Sequence, residues 1–384
     1  MTIEASAVRF PRTADLCLLK IHFVVGGVMG KIAILSAGNT GIVAALHVSS
    51  LGYNPMVYTR NAAKLAALQG SAISSTGVID GLWKIHASDN LAEVLDGADF
   101  IIICTWANNH NDVFKNVRDW AKNNPGSAIR LIVFNGNWGA YEAFQILAGE
   151  DGIQKERLTI AESTGMPYVS KFMFDNEKPE QSASLLFKGL KSSIEIAYAI
   201  NSDAHEETNR FLSSAYSNVL NYDTVFATSL MAPNPIIHAP LCLLNMTRIE
   251  SGSEYYMLSD GFTERTEQLV RHIDGERHNL ANALKSPYIP ITAQLNGFWG
   301  SHYLTLTELF KNNPVYSSLI GPKDIRHRFI QEDIPYGIAP LVALGNLLGV
   351  PTPTCEALLT IYRDYFGDPF EGPSFDKAVI DRLQ

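Results

Sequence analysis

The sequence predicts an α/β domain built on a parallel sheet, followed by an all-helical domain. Three observations carry this. Residues 31–35 form an apolar run of strand length, followed by a glycine-bearing turn, a small-residue apolar stretch at 42–51 and a second strand-like run at 56–59. Strand-length apolar runs then alternate with helical patterns to about residue 220. Beyond residue 221 strand patterns vanish and helical periodicities take over. With 384 residues, 46% of them hydrophobic, the chain can give each domain a core.

Residues 1–28 show no clear periodicity. Their apolar stretch, 16–25, is interrupted by Lys20 and His22 and is too short to span a bilayer. It lacks the continuous core and small-residue cleavage site of a signal peptide. Met29 stands just before the first strand and is the expected natural start, which makes 1–28 an extension. Intact mass of the native protein tests this. The expected domains are 29–220 and 221–384.

The unit from Lys31 to Arg60 is the sequence context of a Rossmann-type nucleotide-binding domain. A pyrophosphate is held by free backbone N–H groups at a helix N-terminus, aided by the helix dipole. The turn reads Ser36-Ala37-Gly38-Asn39-Thr40-Gly41. Gly38 lets the backbone approach the phosphates, and Gly41 lets the helix lie close on the first strand. Ser36 replaces the first glycine of the usual G-x-G-x-x-G. Ser36, Gly38, Asn39, Thr40 and Gly41 are therefore candidate cofactor contacts.

The end of the second strand selects between cofactors. An NAD site places Asp or Glu there for the ribose hydroxyl. Here stand Thr59, Arg60 and Asn61, with Lys64 one helical turn on. An arginine suits a 2′-phosphate and Thr59 can donate to it, so NADP is preferred and NAD is the second choice.

The α/β rhythm continues with a helix at 61–69, a strand pair at 71–76 and 82–86, and Ser88 as cap for a helix at 91–95. Strands follow at 100–105, 129–134 and 158–161, and a last strand at 192–200 precedes a helix at 205–215. The polar stretches 105–110, 135–139 and 162–166 fall at strand ends, where ligands bind in an open parallel sheet. Trp106 joins the cofactor candidates. In the second half helices are expected at 223–230, 241–249, 264–284, 301–309, 340–348 and 355–365, with Thr354 capping the last. A cleft between the domains is the default site.

Net charge is −9 with no long basic run, which argues against nucleic acid. The four cysteines are far apart and none has metal-ligand spacing; the ten histidines form no HExxH or Cys/His cluster. No metal site is expected. The chain reads as a cytoplasmic protein with no membrane partner.

Two stretches of the helical half carry chemistry. One runs from Asn234 through His238 to Asn245, with Glu250-Ser251-Gly252 after it. The other runs from Gly321 to Gly337 and contains Arg328, Glu332 and Asp333. On residues alone, His238 could equally be a satisfied core histidine. Together, His-x-Pro-x-x-x-Leu-Asn from His238, the Glu-Ser-Gly, Arg-x-x-x-x-Asp from Arg328 to Asp333 and Val-Pro-Thr-Pro at 350–353 resemble the opine dehydrogenase family, most in the pattern of its bacterial N-(1-carboxyethyl)-norvaline dehydrogenase type. The resemblance runs from residue 31 to about 365. Trp106, where a proline is common, and the loop at 135–138 depart from it, as Ser36 does.

The resemblance implies a helical domain of the 6-phosphogluconate dehydrogenase C-terminal type and a reductive condensation. An amino acid adds to a 2-oxo acid, water leaves, and NAD(P)H reduces the imine to a secondary-amine dicarboxylate. It implies His238 and Asp333 as the catalytic pair and Arg328 as the carboxylate-binding cation. Glu162 and Asn234 are further substrate candidates, and Glu332 is the competing partner for His238. Homo-oligomerisation is left open. Two alternatives remain: an NADP-dependent 2-oxo or hydroxy acid reductase of ketopantoate reductase type, for which no lysine stands in a matching motif, and a non-catalytic NADP-binding sensor.

Overall fold

The computed structural model describes residues 29–200 and 205–384; the expected extension, 1–28, lies outside the described residues. In chain order the strands are β1 (Met29–Leu35), β2 (Tyr53–Tyr58), β3 (Ile73–Gly77), β4 (Gly81–Trp83), β5 (His86–Ser88), β6 (Ala98–Ile103), β7 (Ile129–Val133), β8 (Leu158–Ser163), β9 (Tyr168–Phe174), β10 (Ala183–Leu190), β11 (Ile194–Ile200) and β12 (Val219–Tyr222). The main sheet has the order β12-β11-β8-β7-β6-β1-β2-β5. From β5 to β8 every neighbouring pair is parallel; β11 runs antiparallel to β8, and β12 parallel to β11.

β1 is buried on both faces, which is why it reads as an unbroken apolar run. Ala33 and Leu35 join the core that holds helices His110–Asn123 and Gly139–Leu147, while Ile32 and Ile34 join the core beneath helix Asn39–Ser50. After β5 the chain returns to place β6 on the other flank of β1. That reversal opens the crevice beside the carboxyl end of β1, where ligands bind in such sheets.

Several local expectations are corrected. The strand pair β3–β4 is present but belongs to a second sheet, β4-β3-β10-β9, lying against helix Asn39–Ser50. β12 continues the main sheet past the expected last strand. The cap of helix Leu91–Leu95 is Asn90, accepting from Ala92 and Glu93; Ser88 instead accepts from Asn90 N–H and donates to Glu93. Thr354 does not cap helix Pro353–Phe366. Its N–H and that of Cys355 are taken by the Glu276 carboxylate from another helix.

The helical domain assembles around Glu264–Ala283, which meets Pro233–Leu244, Ala339–Leu348 and Pro353–Phe366. The stretch around His238, whose helix was expected only from residue 241, is helical from Pro233 because proline is tolerated in a first turn. Buried Arg277 ties the long helix to Ala232 O at 2.9 Å, just ahead of that turn. Among the described residues no helix is long and apolar enough to cross a membrane.

Candidate active site

Helix Pro233–Leu244 carries His238, and a short helix, Arg328–Gln331, leads to Asp333. The two meet across 95 residues of sequence, His238 Nδ1 lying 2.7 Å from Asp333 Oδ2. Asp333 is fully buried, and its second oxygen has no hydrogen-bond partner among the described residues. A π-helical turn, Ile334–Ile338, follows it, closed by Ile338 N–H on Asp333 O. Such wide turns recur at functional sites. Gly337 makes the approach feasible, because a Cβ there would come within 2.1 Å of Pro235 Cβ. The Phe329 ring stacks on His238 with centroids 3.7 Å apart and fixes the imidazole plane. His327 caps the short helix by accepting from Phe329 N–H. Burial first, and then the nearby His238 and Arg328, lowers His327 to about 4, so it is neutral near pH 7.

Arg328 does not stand free. Its Nε and Nη2 lie 2.9 and 2.7 Å from Glu332 Oε2. The other Glu332 oxygen accepts the Ala107 N–H at 2.9 Å, and Asn108 Nδ2 donates to Gln331 O at 2.8 Å. Glu332 is therefore not a partner of His238; it joins Arg328 to the loop that leaves β6. The same bonds hold the His238–Asp333 side of the helical domain against the carboxyl end of β6, beside β1. Neither Phe329 nor this Glu332 contact was legible in sequence, since each depends on a partner brought in by the fold.

Asn234 lies one helical turn before His238 and so shares its face. Glu162, the other substrate candidate, faces inward. It is fully buried at the end of β8, accepting from Ala140 N–H (2.8 Å), Thr228 Oγ1 (2.8 Å) and Ser229 Oγ (2.6 Å). Burial raises its pKa and these donors oppose the rise. A carboxylate so occupied stitches helix Val225–Leu230 to the sheet. Between β7 and helix Gly139–Leu147, Asn135, Gly136, Asn137 and Trp138 all have positive φ, from 31° to 77°. Non-glycine residues there carry strain of the kind found at ligand sites. Both polar side-chain atoms of buried Asn137 lack partners among the described residues.

The turn after β1 fits a dinucleotide. Helix Asn39–Ser50 begins with no side-chain cap. A Cβ on Gly41 would lie 1.9 Å from Ser36 O, so only glycine lets the helix sit this close. Ser36, at the place of the missing glycine, has φ +150°, and its Oγ accepts from Gly38 N–H. Asn39 spends its side-chain oxygen on Phe172 N–H of β9, leaving its backbone and that of Thr40 in the helix's first turn. At the end of β2, Thr59 Oγ1 accepts from Asn61 N–H, and Asn61 caps helix Ala62–Gln69 through Lys64 N–H. Arg60 is exposed, and no carboxylate stands between it and the strand end. Trp106 is exposed at the start of the β6 loop.

Residues 221–366 match the family model described as NAD/NADP octopine/nopaline dehydrogenase, alpha-helical domain. The chain is 25% identical over 357 residues to an opine dehydrogenase of Arthrobacter sp. (strain 1C), covering 91% of this chain and 95% of that protein. Its fold is similar to that of octopine dehydrogenase with NADH and L-arginine (TM-score 0.70, 15% identity, 92% and 96% of the two chains). It is likewise similar to yersinopine dehydrogenase with NADP+ bound (TM-score 0.69, 16% identity, 93% and 98%).

Proposed function

We propose that this chain, which belongs to the opine dehydrogenase family, condenses an amino acid with a 2-oxo acid, reduces the resulting imine with NAD(P)H, and catalyses the reverse reaction through His238 and Asp333. The observation that supports these residues is the 2.7 Å contact of His238 with a buried carboxylate.

Asp333 holds the Nδ1–H of His238 and stabilises the imidazolium, so Nε2 is the atom that exchanges a proton. Condensation needs the amino group as a free base and the carbonyl oxygen protonated as it departs in water. The ammonium gives up two of its three protons in turn, and one histidine serves both needs by taking each and passing it to the carbonyl oxygen, which leaves as water. The third proton stays on the imine nitrogen, and a nicotinamide held in the crevice would supply the hydride. Arg328, with Nε and Nη2 turned to Glu332, offers its remaining N–H edge to a substrate carboxylate. Asn234 orients substrate from the His238 face.

The uncapped helix start at Gly38 to Gly41 takes the pyrophosphate. Arg60 and Thr59 take a 2′-phosphate, with Lys64 adding charge, so NADPH is the preferred donor. Ser36 and Trp106 flank the same crevice.

A matrix of amino acids against pyruvate and glyoxylate, with NADH and NADPH and product mass, tests the reading. Oxidation that requires both an amine and an oxo acid is expected. Oxidation by the oxo acid alone would favour a ketopantoate-type reductase, and cofactor binding without turnover a sensor.

A further inference from the structure

Lys191 is a cation without a role in this scheme. It lies between β10 and β11, its backbone N–H bonded to Pro167 O at 2.9 Å, so it sits beside the loop leaving β8. Its ammonium stands 3.6 Å from the centroid of the Phe298 ring, on helix Ile291–Trp299 of the helical domain. A Cβ on Gly165 would lie 3.1 Å from Lys191 Nζ and 3.7 Å from Pro233 Cδ. Pro233 opens the helix that carries Asn234 and His238. The end of β8, the ammonium and the first turn of the His238 helix therefore meet at one point on the boundary between the domains.

Lys191 is half-buried, and among the described residues its Nζ has neither a hydrogen-bond acceptor nor an ion-pair partner. Glu195 on β11 is the charged group whose field reaches it, but that carboxylate bonds Gln294 Nε2 at 3.1 Å. Helix Ile291–Trp299 and the Gly165 loop bring no charge. Partial removal from water lowers the ammonium to about 8 against the pull of Glu195. Water reaches its Nζ, and the protein gives that charge a ring face but no acceptor for its three donors. An anion would complete it.

We infer that Lys191 forms a second carboxylate-binding subsite of the active site, for the substrate carboxylate that Arg328 does not hold. This rests on the condensation reading, whose product carries two carboxylates. The source is either the 2-oxo acid or the amino acid.

The test compares the full-length protein with Lys191→Met and Lys191→Arg. The probes are pyruvate, the amino acid that turns over fastest, and the amine made by decarboxylating that amino acid. In Lys191→Met the KM of one carboxylate substrate should rise about 10- to 100-fold, while kcat and NADPH affinity change little. A rise for the amino acid that is absent for its amine assigns the subsite to the amino acid; a rise for pyruvate assigns it to the oxo acid. Lys191→Arg should restore binding. Affinity for that substrate in wild type should fall as pH rises through about 8, where the ammonium is lost, and stay level in Lys191→Arg. Unchanged KM values in Lys191→Met, or a loss of thermal stability with normal KM, would overturn the subsite. If wild type condenses nothing, the reaction reading fails separately. Titrating the NADPH complex with pyruvate and a panel of amino acids then decides: weaker binding in Lys191→Met keeps the subsite, and equal or absent binding ends it.

Discussion

At the scale of single residues, charge and burial decide. Arg60 is exposed at a strand end that offers no carboxylate for a ribose hydroxyl. Arg60→Ala should weaken NADPH binding by about 1–3 kcal/mol, the range for charged hydrogen bonds, and NADH binding little. Fluorescence titration with both cofactors measures this, and equal losses would remove Arg60 from the phosphate. His238 and Asp333 form a buried contact at 2.7 Å. Asp333→Asn should keep the fold and cofactor affinity but hold the wrong tautomer, lowering kcat by up to about 10⁴-fold. His238→Ala should bind NADPH and lose turnover in both directions. A variant that unfolds without a selective loss of turnover would return His238 to a core role.

At the scale of elements, the segment from Arg328 through the π-helical turn to Ile338 acts as a unit. It supplies Arg328, the ring under His238, Asp333 and the Glu332 contact to the β6 loop. Glu332→Gln keeps an acceptor for Ala107 N–H but discharges the partner of Arg328. It should lower kcat/KM for the carboxylate substrate about 10- to 100-fold while leaving cofactor affinity unchanged. Arg328→Lys should also be damaging, because a point charge cannot reproduce the planar fork. Steady-state kinetics with each substrate varied separates these effects, and unaltered kinetics in the lysine variant would take Arg328 out of the site.

At the scale of the whole molecule, acid stability follows from a histidine that takes no part in the proposed chemistry. His47, in helix Asn39–Ser50, is buried against Tyr168 and Tyr216, with Nδ1 3.1 Å from the Tyr168 hydroxyl. Burial lowers it to about 4. Between its ordinary 6.5 and about 4 the unfolded chain binds a proton there that the native state refuses, so stability falls as pH falls through that window. The loss attributable to this site approaches about 3 kcal/mol below pH 4. Denaturant titrations of wild type and His47→Gln across the window check it: the glutamine variant should be less stable near neutrality and show a shallower acid decline. Equal slopes would assign the acid sensitivity elsewhere.

The sequence by itself determined the order of the domains, the β1–turn–helix–β2 unit and the long helix at 264–283, because buried strands and amphipathic helices write their period into neighbouring residues. The missing acid after β2 was equally legible, since it is a local fact. The resemblance named His238, Asp333 and Arg328, but only the tertiary structure brought the first two to 2.7 Å across 95 residues. The fold also decided what sequence could not: that Glu162 is spent on Thr228, Ser229 and Ala140, that Glu276 rather than Thr354 caps the helix at Pro353, and that Glu332 turns to Arg328 and Ala107. A carboxylate's role is set by whichever donors the fold delivers to it, and apart from Arg328, four residues from Glu332, those donors lie tens to hundreds of residues away in the chain.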